Sequence, residues 1–110
     1  MRSDIDRLMD IIDALENILR YGKKGKEIFL REELIQTWMI HNIQLIGECI
    51  SNLPEEIRSA DPELPWRQIV GMRNLIVHGY HKIDLEEIWS VVTKDAPRLL
   101  KQVNSLLESM

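Results

Sequence analysis

Apolar residues return every third or fourth position through almost the whole chain, and nowhere do they alternate singly with polar ones over the length of a strand. That period is the signature of an α-helix with one buried face, since a half-buried strand repeats every second residue. Four or five such segments can be marked off. Ser3 is a candidate N-cap for a first helix carrying Ile5, Leu8, Met9, Ile12, Leu15, Ile18 and Leu19, which stops at Gly22. Tyr21 to Lys26 reads as a mobile loop rich in glycine and lysine. A second helix is expected from about Arg31 to Leu53, with a broad stripe that includes Leu34, Trp38, Met39, Asn42, Ile43, Ile46, Cys49 and Ile50. Pro54, Pro62 and Pro65 mark a connection, and Pro65 suits the first turn of a third helix ending near Gly79. Asp84 and Glu87 have the spacing of a capping box for a fourth helix, and Pro97 opens a last one after Asp95. The expected fold is an all-α, up-and-down bundle, with residues 1–110 forming a single domain.

No apolar run approaches the roughly 20 residues that a membrane span needs. Acids stand near the start of the chain, where a signal peptide would carry basic residues, so a cytoplasmic location is expected. Cys49 is the only cysteine, which excludes an internal disulfide and reads as a small core residue. The three tryptophans fall in three expected helices and read as core fillers rather than platforms for bases.

The formal net charge of −4 argues against a protein that coats nucleic acid by charge alone. The distribution is uneven, however. Lys23, Lys24 and Lys26 lie between Arg20 and Arg31, opposed only by Glu27, while acids gather in the first helix and after Pro54. The basic stretch could hold RNA locally, and it reads equally well as a solvated loop.

Residues 71–82 (Gly-Met-Arg-Asn-Leu-Ile-Val-His-Gly-Tyr-His-Lys) are the densest collection of groups able to do chemistry. A histidine titrates near neutrality and can move protons, and an arginine can fork onto phosphate oxygens and stabilise charge there. RNA offers the complement, a 2′-hydroxyl beside a phosphodiester. A base on that hydroxyl and a cation on the phosphate would suffice for transesterification to a 2′,3′-cyclic phosphate and a 5′-hydroxyl. At about 100° per residue, Arg73 and His78 stand roughly 140° apart around one ideal helix, whereas Arg73 and Tyr80 fall nearly in line. Either the helix loosens before Gly79 or a second copy of the chain completes the site. On spacing alone the histidine reads as well as a helix-end cap, and the arginine as a structural ion-pair partner. Glu48, a carboxylate on the stripe of the second helix, either supports Arg73 or a histidine or sits on an exposed flank.

Arg73-Asn74-Leu75-Ile76-Val77-His78-Gly79-Tyr80 resembles the R-x4-H-x-Y signature of HepT, the toxin family of HepT–MntA toxin–antitoxin systems within the HEPN superfamily. Asn42 to Glu48, Leu64 to Ile69, Gly71 to Asn74 and Asp84 to Trp89 resemble the same family, so the likeness covers nearly the full chain. The resemblance implies a HEPN helical bundle that forms a homodimer and acts as an endoribonuclease without a metal or other cofactor. Arg73 and His78 would be the catalytic pair, with Asn74 as the polar residue beside the arginine. Tyr80 would be the residue that an MntA-like nucleotidyltransferase antitoxin modifies with AMP. The RNA substrate would be a transfer or messenger RNA, in a type VII system. His41 stands where relatives often carry arginine, and His81 adds an imidazole after the motif. The alternative implied by the same likeness is a non-catalytic HEPN bundle that binds nucleotide or scaffolds a nucleotidyltransferase.

Overall fold

The structure, a computed structural model, describes residues 3–59, 66, 67, 69–71 and 84–110. Every regular element among them is helical: α1 (Asp4–Gly22), α2 (Lys26–Arg31), α3 (Glu33–Ser51), α4 (Glu55–Arg58), α5 (Leu85–Ser90), a π-helical turn (Val91–Asp95) and α6 (Ala96–Glu108). Residues 66, 67 and 69–71 are helical too, as expected for a helix begun at Pro65; its remainder lies outside the described residues. The fold is an all-α bundle in which α1 packs against both α3 and α6. None of the described helices is long and apolar enough to cross a membrane.

Ser3 caps α1 as its sequence suggests. Its hydroxyl accepts the Asp6 amide at 3.1 Å, and the Asp6 carboxylate accepts the Ser3 amide at 3.3 Å, so two amides of the open first turn are satisfied reciprocally. The buried face of α1 is Leu8, Ile11, Ala14, Leu15 and Ile18. Ile5 and Met9, expected in the stripe, are exposed, and Ile11 takes the central place instead. The true stripe is therefore rotated toward α3 and α6, against both of which α1 packs.

The chain between α1 and α3 is more ordered than a loop. Gly25 adopts φ +96°, a left-handed conformation that side chains disfavour, and turns the chain into α2. Phe29 of α2 is buried and stacks on Trp89 of α5 with ring centroids 5.2 Å apart. The Gln36 amide donates to the carbonyls of Phe29 and Leu30, so it closes the open end of α2. Glu32 is extended, which breaks the helix and starts α3 at Glu33 rather than Arg31. Trp66 and Trp89 fill the core or its margin, but Trp38 is partly exposed and lies beside the His41 ring.

The last two expected helices are one continuous helical path. Asp84 caps α5 by accepting the Glu86 amide at 2.9 Å, in place of the capping box with Glu87 that the spacing suggests. The backbone then stays helical through Ser90, Val91 and Ala96, with the Ala96 amide donating five residues back to the Val91 carbonyl. Pro97 has no amide hydrogen and would crowd the carbonyl four residues earlier, so widening the preceding turn lets the helix continue where a break was expected. Within this turn, Val92 Cγ1 would lie 3.0 Å from a Cβ placed on Gly22, so the close approach of the π turn to α1 depends on that glycine.

Burial pushes the Asp95 carboxyl above the ordinary carboxylate range, against the opposing pull of Arg98 and Lys94. A folded pKa above the unfolded one means that the folded state holds this proton more tightly. The associated stabilisation is complete below the unfolded pKa and is lost as pH rises through the folded one. Asp95→Asn is therefore expected to raise the thermal midpoint at neutral pH, with the gain vanishing as pH falls below the carboxylate range. Thermal denaturation of parent and variant across pH checks the sign.

Candidate functional site

The segment richest in groups able to do chemistry falls almost wholly outside the described residues: Gly71 is described, whereas Arg73, Asn74, His78, Tyr80 and His81 are not. The approach to it is described. Trp66 and Ile69 are buried in the core, so the helix entering the motif is anchored at its start by apolar contact.

The residues of α3 divide between two faces. Met39, Asn42, Ile43, Ile46, Gly47 and Ile50 turn inward. Leu34, Trp38, His41, Leu45 and Glu48 recur at helical spacing within about 80° of one another and are exposed, Leu34 at 83%. Glu48 thus occupies the exposed flank that its sequence position also allowed. It shares that face with His41, whose ring lies 5.8 Å from Trp38 between centroids. Cys49 is half-buried beside this face rather than within the core.

Asn42 is the one polar side chain among the buried described residues, at 1% exposure. Its amide nitrogen donates to the Trp38 carbonyl at 2.8 Å, and its oxygen accepts from the Asn17 amide of α1 at 3.3 Å. Asn17 in turn accepts from the Arg20 guanidinium. The helical periodicity places Asn42 within an apolar stripe and gives no sign of Asn17 as its partner or of Arg20 beyond it. The available signal was the amide itself, because a buried amide must find partners on a neighbouring element.

A shallow cleft of about 290 Å³ opens above this pair, between Asp10, Asp13 and Asn17 of α1 and Asn42, Leu45 and Cys49 of α3. Two carboxylates on its rim make it a poor receptor for phosphate. Cations collect instead at the far end of α1, where Arg20, Lys23 and Lys24 are exposed.

A family model described as ribonuclease HepT-like matches residues 11–106. A protein of Methanocaldococcus jannaschii named "Gamma-glutamylcyclotransferase and putative RNase" is 33% identical over 112 residues, covering all of this chain; the chain spans half the length of that relative. A protein of Thermococcus cleftensis named "Probable ribonuclease HepT" is 34% identical over 99 residues, which cover 89% of this chain and 90% of that one. No solved structure matches the chain.

Removing the Asn42 amide strands the Asn17 donor and leaves a void beside it. Asn42→Ala is expected to destabilise the fold by about 1–3 kcal/mol. Asn17→Ala should cost less, because water reaches that half-exposed position. A double-mutant cycle by chemical denaturation should give a coupling of at least about 0.5 kcal/mol if the two amides act as a pair.

Proposed function

Because the chain belongs to the HepT-like ribonuclease family, we propose that it is a metal-independent endoribonuclease and the toxin half of a toxin–antitoxin pair. The observation that carries this reading is the family match over residues 11–106, a span that includes Arg73, Asn74, His78 and Tyr80. In the proposed reaction His78 takes the proton of an RNA 2′-hydroxyl. The 2′-oxygen attacks the adjacent phosphorus, the bond to the 5′-oxygen breaks, and that oxygen leaves with a proton. Arg73 balances the charge that builds on the non-bridging oxygens. The products are a 2′,3′-cyclic phosphate and a 5′-hydroxyl, and DNA, lacking the nucleophile, is spared. Asn74 adds a neutral hydrogen-bonding group beside the arginine.

The proposed active form is a homodimer. Arg73 and His78 diverge by roughly 140° on one ideal helix, and in this reading a partner protomer, rather than a loosened helix, closes the site and supplies a second histidine as acid. The exposed apolar face of α3, Leu34, Trp38 and Leu45, supports a second copy as its occupant. Glu48 on that same face is a candidate partner for Arg73.

Tyr80 is the proposed regulatory residue. Transfer of AMP onto its phenolic oxygen by a nucleotidyltransferase antitoxin would place a phosphate and an adenine two residues from His78. The added charge would engage Arg73, and the added bulk would obstruct RNA. The RNA is proposed to be a transfer or messenger RNA in the cytoplasm.

Arg73→Ala and His78→Ala are each expected to lower RNA cleavage by about 100-fold or more and to abolish toxicity on expression alone. Full activity in both variants would overturn the assignment. Tyr80→Phe should still cleave, but it should gain no AMP by intact mass when incubated with the antitoxin and ATP. Leu34→Glu combined with Trp38→Glu is expected to convert a dimer to a monomer in sedimentation, with cleavage lost in parallel.

A further inference from the structure

Residues 20–31 carry five basic side chains against one acid, while the rest of the chain carries nine basic residues against seventeen acids. The fold gathers part of this excess at one corner. α1 ends at Gly22, Lys23 follows as its C-cap, and the left-handed Gly25 turns the chain back into α2. Arg20, Lys23 and Lys24 are exposed here, Arg20 and Lys24 beside the half-buried ring of Tyr21. The Arg20 guanidinium carbon lies 5.7 Å from the centroid of that ring, and the Lys24 ammonium lies 5.9 Å from it.

The cations of this stretch differ in their pairing. Lys26, one turn further on, is held by Glu86 at 2.8 Å. Among the described residues, no carboxylate forms an ion pair with Arg20, Lys23 or Lys24. Arg20 is steadied instead by the neutral amide oxygen of Asn17 and by the tyrosine ring. The C-terminal end of α1 favours cations and accounts for Arg20 and Lys23 in part. It does not account for gathering two cations around one ring with no anion to separate them.

We propose that this corner is a docking surface for the phosphodiester backbone of single-stranded RNA, with Lys23 and Lys24 neutralising phosphates and Arg20 offering a planar guanidinium to a phosphate or base. The proposal rests on the ribonuclease reading. Single-stranded RNA fits the chemistry because two of the cations lie beside an aromatic ring rather than forming a bare charged ridge, and a guanidinium can stack on an unpaired base. The acidic rim of the α1–α3 cleft, Asp10 and Asp13, would turn the same strand away from the other half of α1.

The test separates binding from cleavage. A fluorescent RNA strand methylated at every 2′-oxygen cannot undergo transesterification, and its anisotropy reports binding alone. Lys23 and Lys24 are suitable probes because neither side chain makes a hydrogen bond or ion pair among the described residues, so Lys23→Gln with Lys24→Gln should leave the fold intact by circular dichroism. The double variant is expected to bind about tenfold more weakly at low salt, with the slope of log affinity against log salt shallower by about 1.4. Arg7→Gln, about 20 Å away along α1 and paired with Asp4, should change neither quantity. Unchanged affinity and slope in a double variant of a parent that binds and cleaves RNA would overturn this proposal alone and leave the corner to an acidic protein surface. A parent that neither binds the methylated strand nor cleaves an unmodified one would overturn the ribonuclease reading, and this proposal with it.

Discussion

A buried amide has few acceptable positions along a neighbouring helix, and Asn42 is buried in the seam between α1 and α3. Its nitrogen is satisfied within its own helix by the Trp38 carbonyl, but its oxygen depends on Asn17 across the seam. Sliding one helix by a residue would move the partner about 1.5 Å and swing it about 100°. The apolar contacts that surround the pair tolerate small shifts; an unpaired amide costs about 1–3 kcal/mol. The hydrophobic faces hold α1 and α3 together, while the amide pair discriminates among registers. A little further along, at the C-terminus of α1, Gly22 meets Val92 so closely that it adds a steric limit to the polar one.

The path from α5 to α6 answers to the same seam. Ile88, Val92 and Ala96 are buried at intervals of four, and each interval overshoots a full turn of an ideal α-helix by about 40°. A π turn takes more residues per revolution and absorbs that overshoot, so the residues from Ile88 to Val103 keep one face toward the core. The wide turn that accommodates Pro97 also keeps the inward face in phase, and one local adjustment meets both needs.

Much of this was legible in the sequence, and what escaped it has physical causes. The helical class, the Ser3 and Asp84 caps and the start of a helix near Pro65 follow from local rules that the chain obeys. Element α2 escaped because six residues contain too little of a period to register. It exists through Phe29 stacking on Trp89, sixty residues away, and through Gln36 closing its end, both tertiary contacts. The break expected at Pro97 followed from the proline alone; the widened turn that bridges it answers to Val92 packing on Gly22. Trp38 read as core because it is large and apolar, yet its neighbours at helical spacing, Leu34 and Leu45, are exposed with it. Of the expected site residues, only Glu48 lies among those described, on the exposed flank. The motif itself rests on resemblance and on what its side chains can do.

On the proposed reading, that exposed face and the motif constrain each other. A lone chain would spread Arg73 and His78 around a helix, where one group could bind phosphate while the other faced away. Two chains joined through the α3 face would bring a second copy of the motif within reach, and the exposed apolar surface that costs a monomer solubility would become the surface that assembles the site. Catalysis would then be coupled to association rather than to folding alone. A single chemical mark at Tyr80 would need only to disturb one shared centre to silence both protomers.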